Sequence, residues 1–193
     1  NSGMTDIVDG LNYIYTYAES QGKPAIANLS WGCSIGPNDG TSLFSQAVNN
    51  LTGEGKIFTI SAGNNGEDKI HLQKDFTSSD TLIQSYVNFS TYLSDKKSWL
   101  DIWGEPNETF CVQLKLYNGN NVNDSTRYIC LENTTLDTFL IGSNNDTCFF
   151  TLTTDSSDII NGKPHALFDL YSKSTNELCI NVKATNGKVN LWL

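Results

Sequence analysis

The sequence predicts an α/β segment followed by an all-β one: a piece of a doubly wound parallel sheet, then an antiparallel β-sandwich of jelly-roll type. Three observations predict it. Two apolar strand-like runs, Ala25–Ser30 and Lys56–Ser61, flank a helical pattern, the arrangement of a parallel strand–helix–strand unit. From about Phe76 onward helical periodicity disappears. In its place, short β-prone runs alternate with turn clusters rich in Asn, Gly and Asp. The two parts are expected at residues 1–70 and 71–193.

The first helix is expected to be capped by Thr5 or Asp6, with Met4, Ile7, Val8, Leu11, Ile14, Tyr15 and Ala18 on its apolar face. Gln21-Gly-Lys-Pro24 ends it, because Gly permits a left-handed exit and Pro cannot continue a helix. Ala25–Ser30 reads as a buried parallel strand. After the loop 32–40, a second helix starts at Thr41 or Ser42 and presents Leu43, Phe44, Ala47, Val48 and Leu51 on one face. Thr52-Gly-Glu-Gly55 ends it and Lys56–Ser61 forms the next strand, closed by Ala62-Gly-Asn-Asn-Gly66. Glu67–Lys74 is polar and reads as a linker.

Eight strands are then expected, at Thr81–Phe89, Ser98–Trp103, Phe110–Tyr117, Arg127–Leu131, Cys148–Thr153, Ala166–Tyr171, Leu178–Ala184 and Val189–Leu193. Alternation is plainest in Cys111-Val-Gln-Leu-Lys-Leu-Tyr117. Asn186-Gly187 between two runs is a strong local hairpin signal. Trp99, Trp103 and Trp192 sit at strand spacing and read as core aromatics.

The chain has 193 residues and is 38% hydrophobic, enough for one large core or two small ones. Its net charge of −9 argues against nucleic acid and against anionic lipid as partners. No apolar run approaches the length of a membrane span. Asn1 opens the chain without an initiator Met and Leu193 closes an apolar run, so a longer parent protein is expected. The five Cys, at 33, 111, 130, 148 and 179, match no zinc pattern and read as buried thiols rather than disulfides. Asn-X-Ser/Thr triplets at Asn107, Asn123, Asn133 and Asn145 read as Asn/Thr-rich turns; they imply glycans only in a eukaryotic secretory protein. Asp155-Ser-Ser-Asp158 lacks the ligand pattern of a calcium loop, and no metal or cofactor is expected.

The chemistry concentrates at the end of the second strand. An amide delivered at the carboxyl end of a strand in an open α/β sheet is placed where such sheets hold their sites. There it can donate a hydrogen bond to a developing oxyanion. The order Asn28-Leu-Ser-Trp-Gly32, helix, Ser61-Ala-Gly-Asn-Asn-Gly66 resembles the middle of the subtilisin-like serine proteases, the subtilases, over about 65 residues. Gly36-Pro-Asn-Asp-Gly-Thr41 adds a further likeness to bacterial members. The resemblance implies that Asn64 is the oxyanion-hole residue. It also implies that Ser30, Trp31 and Gly32 line the substrate strand beside Ala62 and Gly63, which leave room for the substrate's first side chain.

The departures matter as much. The family's Asp-Thr/Ser-Gly, His-Gly-Thr and Gly-Thr-Ser-Met/Ala segments do not occur. Gly40-Thr-Ser42 precedes the oxyanion turn and continues Leu43-Phe44, so Ser42 is rejected as nucleophile. His71 and His165, the two histidines, read as structural. The expectation is therefore the central segment of a serine endopeptidase, inactive alone, with the triad segments outside it and a β-domain inserted after the oxyanion turn. The implied partners are a peptide or protein substrate, and the remaining protease segments or another copy covering exposed sheet edges. The resemblance places the parent in a bacterial secreted or envelope setting. The alternative is a non-catalytic carbohydrate- or protein-binding β-sandwich, with Trp99 and Trp103 as a sugar platform.

Overall fold

The computed structural model describes residues 2–89 and 96–193. The chain divides into two compact units, Asn1–Lys69 and Ile70–Leu193.

In the first unit, α1 (Ser2–Ser20), β1 (Ala25–Leu29), α2 (Leu43–Leu51) and β2 (Lys56–Ile60) follow in order. The helix α1 begins upstream of Thr5 and Asp6, so neither caps it; both lie inside the helix. Its end forms as the sequence implies: Gly22 takes φ +64° and Lys23 N–H donates to Ala18 O at 3.0 Å. Ser42 caps α2, its Oγ accepting from Ser45 N–H at 3.1 Å. β1 and β2 pair in parallel, from Ala25↔Lys56 to Leu29↔Ile60. Leu11, Tyr15, Ala27 and Val48 form the small core, with Ala25, Phe44 and Phe58 packed against it. Both helices therefore pack on one face of the strand pair. The Tyr15 hydroxyl donates to Ile57 O at 2.8 Å, and burial raises its pKa. The opposite face carries Ile26 and Ile57, 70% and 50% exposed. Thus β1 is not the buried strand its composition implies; Ala27 alone of its residues is buried.

The second unit holds eleven strands among the described residues: β3 (His71–Phe76), β4 (Leu82–Tyr86), β5 (Lys96–Trp103), β6 (Cys111–Asn118), β7 (Asn121–Ser125), β8 (Ile129–Cys130), β9 (Thr135–Ile141), β10 (Thr147–Asp155), β11 (His165–Ser172), β12 (Glu177–Lys183) and β13 (Gly187–Trp192). They form two sheets, ordered β3-β13-β5-β11-β10-β9 and β4-β12-β6-β7, with β8 pairing β6. All the pairings are antiparallel. One apolar cluster draws on both sheets: Leu100, Ile102, Leu152, Phe168 and Leu170 from one, Val112, Leu114, Leu116, Ile180 and Val182 from the other. Each such side chain stabilises the fold by about 1.5–3 kcal/mol relative to exposure.

Four expectations are corrected here. His71 lies in β3, so the polar segment 67–74 is only partly a linker. Asn186-Gly187 is not a hairpin: β12 pairs β4 and β6, while β13 pairs β3 and β5, so the turn carries the chain from one sheet to the other. Gly187 sits there at φ +88°, against the Glu108 carboxylate that accepts from Lys188 N–H at 3.1 Å. Cys111 and Cys130 form a disulfide across β6 and β8, and Cys33 is exposed; only Cys148 and Cys179 are buried free thiols, whose pKa values burial raises. Trp99 is 51% exposed rather than core, whereas Trp103, on the same face of β5, is buried.

Candidate active-site segment

The last register pair of the parallel ladder, Leu29↔Ile60, brings the carboxyl ends of β1 and β2 side by side. Ser61 N–H extends the ladder by donating to Leu29 O at 3.1 Å, and its hydroxyl donates to Trp31 O at 3.4 Å. Ser30, Trp31 and Gly32 thus leave the sheet beside Ser61, Ala62, Gly63 and Asn64, and all of these are exposed. On the open face, Thr59 Oγ1 donates to Asn28 Oδ1 at 2.9 Å and Asn28 Nδ2 donates to Ser30 Oγ at 3.1 Å. That chain of bonds fixes the exit of β1 against the exit of β2.

The turn itself is built from its residues. Gly63 takes φ +87°, a conformation that L side chains rarely adopt. The next two residues then divide their roles. Asn65 Nδ2 donates to Asp68 Oδ2 at 2.7 Å and Asp68 N–H returns to Asn65 O at 3.1 Å, so Asn65 closes the turn. Asn64 makes no side-chain hydrogen bond among the described residues, and its amide stays available to an outside acceptor. The sequence singles out Asn64 only through the resemblance; the separate task of Asn65 goes unread, although Asp68 three residues beyond it is the signal that could have shown it.

The loop between β1 and α2 is ordered by its own polar groups. Asn38 Nδ2 donates to Ser34 O and Gly36 O at 2.9 and 2.8 Å. Asp39 Oδ1 accepts from Thr41 N–H at 3.0 Å and from its hydroxyl at 2.6 Å. Ser42 is engaged as the helix cap, a structural task.

The sequence of residues 1–148 matches the model of the Subtilase family, Peptidase S8. The chain belongs to the subtilase family. No curated protein matches it. Among solved structures it is similar to that of the Clostridium perfringens CspB protease, with a TM-score of 0.77 at 16% identity. The match covers 98% of this chain and 40% of that one, so the chain spans well under half the length of its structural relative. The subtilase chain therefore shares the fold of a portion of that protease.

The two histidines of this subtilase chain lie in the second unit. His165 Nε2 is 2.5 Å from Asp101 Oδ1 and its ring stacks on Trp103 at 3.8 Å. His71 stacks on Trp192 at 3.8 Å and contacts Asn190 Oδ1 at 3.0 Å. Among the described residues no hydroxyl hydrogen-bonds to either imidazole. Asp155 and Asp158 accept from the backbone N–H groups of Ser157, Ile160 and Asn161, closing their own turn. No group of three or more metal-ligating side chains occurs among the described residues.

Proposed function

We propose that this chain is the central part of a subtilisin-like serine endopeptidase and supplies its oxyanion donor and its substrate strand. The observation that carries the reading is the pairing of the Ser61–Asn64 turn with Ser30–Gly32 at one end of a parallel strand pair, in a chain of the subtilase family. Extended substrate would pair with the backbone of Ser30, Trp31 and Gly32 by β-augmentation. As a serine attacks the scissile carbonyl, negative charge moves to its oxygen. Asn64 Nδ2–H then donates to that oxygen more strongly than to the ground-state carbonyl, which lowers the barrier rather than tightening binding. Ala62 and Gly63 leave space for the side chain preceding the scissile bond.

The nucleophile, the base and its carboxylate partner have no matching motif in the 193 residues. In this reading they come from segments flanking the chain, and residues 70–193 form a β-sandwich of jelly-roll type inserted between the oxyanion turn and the serine segment. Those segments also cover the Ile26 and Ile57 face. A fluorophosphonate probe, which phosphonylates an activated serine, tests the proposal. The full-length protein is expected to label and the 193-residue chain not to; labelling of the chain alone, or no labelling of the full-length protein, contradicts it.

A second reading, a carbohydrate- or protein-binding module, is favoured by one observation. Trp99, Phe139 and Phe149 are exposed on the outer face of the six-stranded sheet. Glycan-array binding that is lost in Trp99→Ala would support it.

A further inference from the structure

Beyond the register pair Leu29↔Ile60, Ser61 N–H continues the ladder to Leu29 O at 3.1 Å. Past that bond, no backbone hydrogen bond joins Ser30–Gly32 to Ala62–Asn64 among the described residues, so side chains set the angle between the two segments. Those side chains stand in one row. Asn28 faces Thr59 across the strand pair. The Thr59 hydroxyl donates to Asn28 Oδ1 at 2.9 Å, and Asn28 Nδ2 donates to Ser30 Oγ at 3.1 Å. One amide thus uses both its ends. The first end holds β2, the strand that runs into the Asn64 turn. The second holds Ser30, where the proposed substrate strand begins.

The residue types in this row are informative. Side chains two apart on a strand share a face. Asn28 and Thr59 therefore lie on the face that carries Ile26 and Ile57, which also stand opposite each other. In the protease reading, flanking segments cover that face. An apolar residue at 28 would suit such a cover better, because a polar group tolerates burial only when it is hydrogen-bonded. Here Asn28 Oδ1, Asn28 Nδ2 and the Thr59 hydroxyl each have a partner. A hydrogen-bonded row of this kind holds one geometry, whereas an apolar contact is free to slide.

We propose that Asn28 and Thr59 are positioning residues that lock the substrate strand to the oxyanion turn; the inference rests on the protease reading. Substrate paired with Ser30–Gly32 is thereby held with its scissile carbonyl at Asn64. Neither Asn28 nor Thr59 touches the reacting atoms. They act through Ser30 and through the exit of β2. Their effect is to turn the binding of residues remote from the scissile bond into correct placement at that bond. The consequence is a dependence of kcat on substrate length. A substrate with a single residue ahead of the scissile bond does not reach along the strand and gains nothing from the row. An extended substrate does.

The test uses the full-length protein, its active sites titrated with a fluorophosphonate so that only competent copies are counted. A set of p-nitroanilides, varied at the residue before the scissile bond, is compared as single aminoacyl compounds and with three alanines added ahead. In the wild type the longer form is expected to have the higher kcat. Thr59→Val, which removes the hydroxyl at nearly constant volume, and Asn28→Ala are each expected to cut that gain about tenfold, with kcat for the short form nearly unchanged. Thr59→Ser, which keeps the hydroxyl, should restore the gain. Ser30→Ala breaks the exposed end of the row and should also cut it, which keeps the test open if a strand variant yields no competent sites. An unchanged gain in Thr59→Val or in Ser30→Ala overturns the inference. So does an equal loss on short and long substrates, the mark of a loosened fold. Wild-type protein that hydrolyses these compounds without any gain from length overturns the inference alone. Wild-type protein that neither titrates nor hydrolyses any of them overturns the protease reading and the inference with it.

Discussion

Replacing Cys111 and Cys130 together by Ala should destabilise the second unit by an amount set mainly by chain entropy. The bridge joins residues 19 apart in sequence, and closing a loop of that length in the unfolded chain is worth about 3 kcal/mol. Packing adds little, because Cys130 is exposed and Cys111 only half-buried. Nor does the ladder hold the segment strongly without the bridge: β8 contributes two register pairs, Cys111↔Cys130 and Val112↔Ile129. For a unit of this length the loss corresponds to a fall of roughly 10 °C in Tm. Tryptophan fluorescence during urea unfolding follows this unit, since Trp99, Trp103 and Trp192 lie in it and only Trp31 does not. Oxidised wild-type chain and the double variant should differ by about 3 kcal/mol, and reductant should collapse the difference. A difference below about 1 kcal/mol would refute the reasoning and show that residual structure already closes the loop in the unfolded chain.

Three further outcomes are expected. Asp146 accepts from the Ser174 hydroxyl at 2.7 Å and from Thr175 N–H at 2.9 Å, and these bonds, the Thr175 one foremost, lower its pKa. A lowered folded-state pKa gives stability that is present above the unfolded carboxylate range and is lost as pH falls through the folded value. Asp146→Asn should therefore flatten the acid limb of the stability profile below about pH 4, measured by urea midpoint against pH. Gly142→Ala should cost more than a surface substitution, at least about 2 kcal/mol, because the new Cβ would land on Asp146 Oδ1 and Ser174 Oγ; a thermal melt within 2 °C of wild type would argue against this. Cys148 and Cys179 should resist thiol reagents until the second unit unfolds, since both are buried and burial raises their pKa, whereas Cys33 should react at once.

The strands legible in the sequence are chiefly those whose residues meet the shared core. β6 alternates buried and half-buried positions along Cys111–Tyr117, as its sequence alternates. The three strands that went unread, β3, β7 and β9, are all edges of their sheets. An edge strand is paired on one side only and carries polar residues that discourage further pairing. Asn121-Val-Asn-Asp-Ser125 is strand because β6 and the Gly119 turn, at φ +58°, hold it there, not because of its own side chains. The disulfide was hidden for a related reason: register, which spacing does not encode, places Cys111 opposite Cys130. Asn186-Gly187 was legible as a turn but not as a crossing between sheets, because a local signal does not say which strands pair across it.

At the site, the strand ends and the Gly63 turn were legible because parallel pairing and a left-handed backbone need particular residues. The choice of Asn64 over Asn65 comes from the family resemblance of the Ser61–Asn64 turn; what the structure adds is that the neighbouring amide, Asn65, is taken up by Asp68.

Steady-state kinetics of Asn64→Ala in the full-length protein test the central claim most directly. The account predicts a fall in kcat of about 10²–10³ with KM changed far less, the signature of a donor that acts on the transition state. An unchanged kcat, or a loss confined to KM, would contradict it.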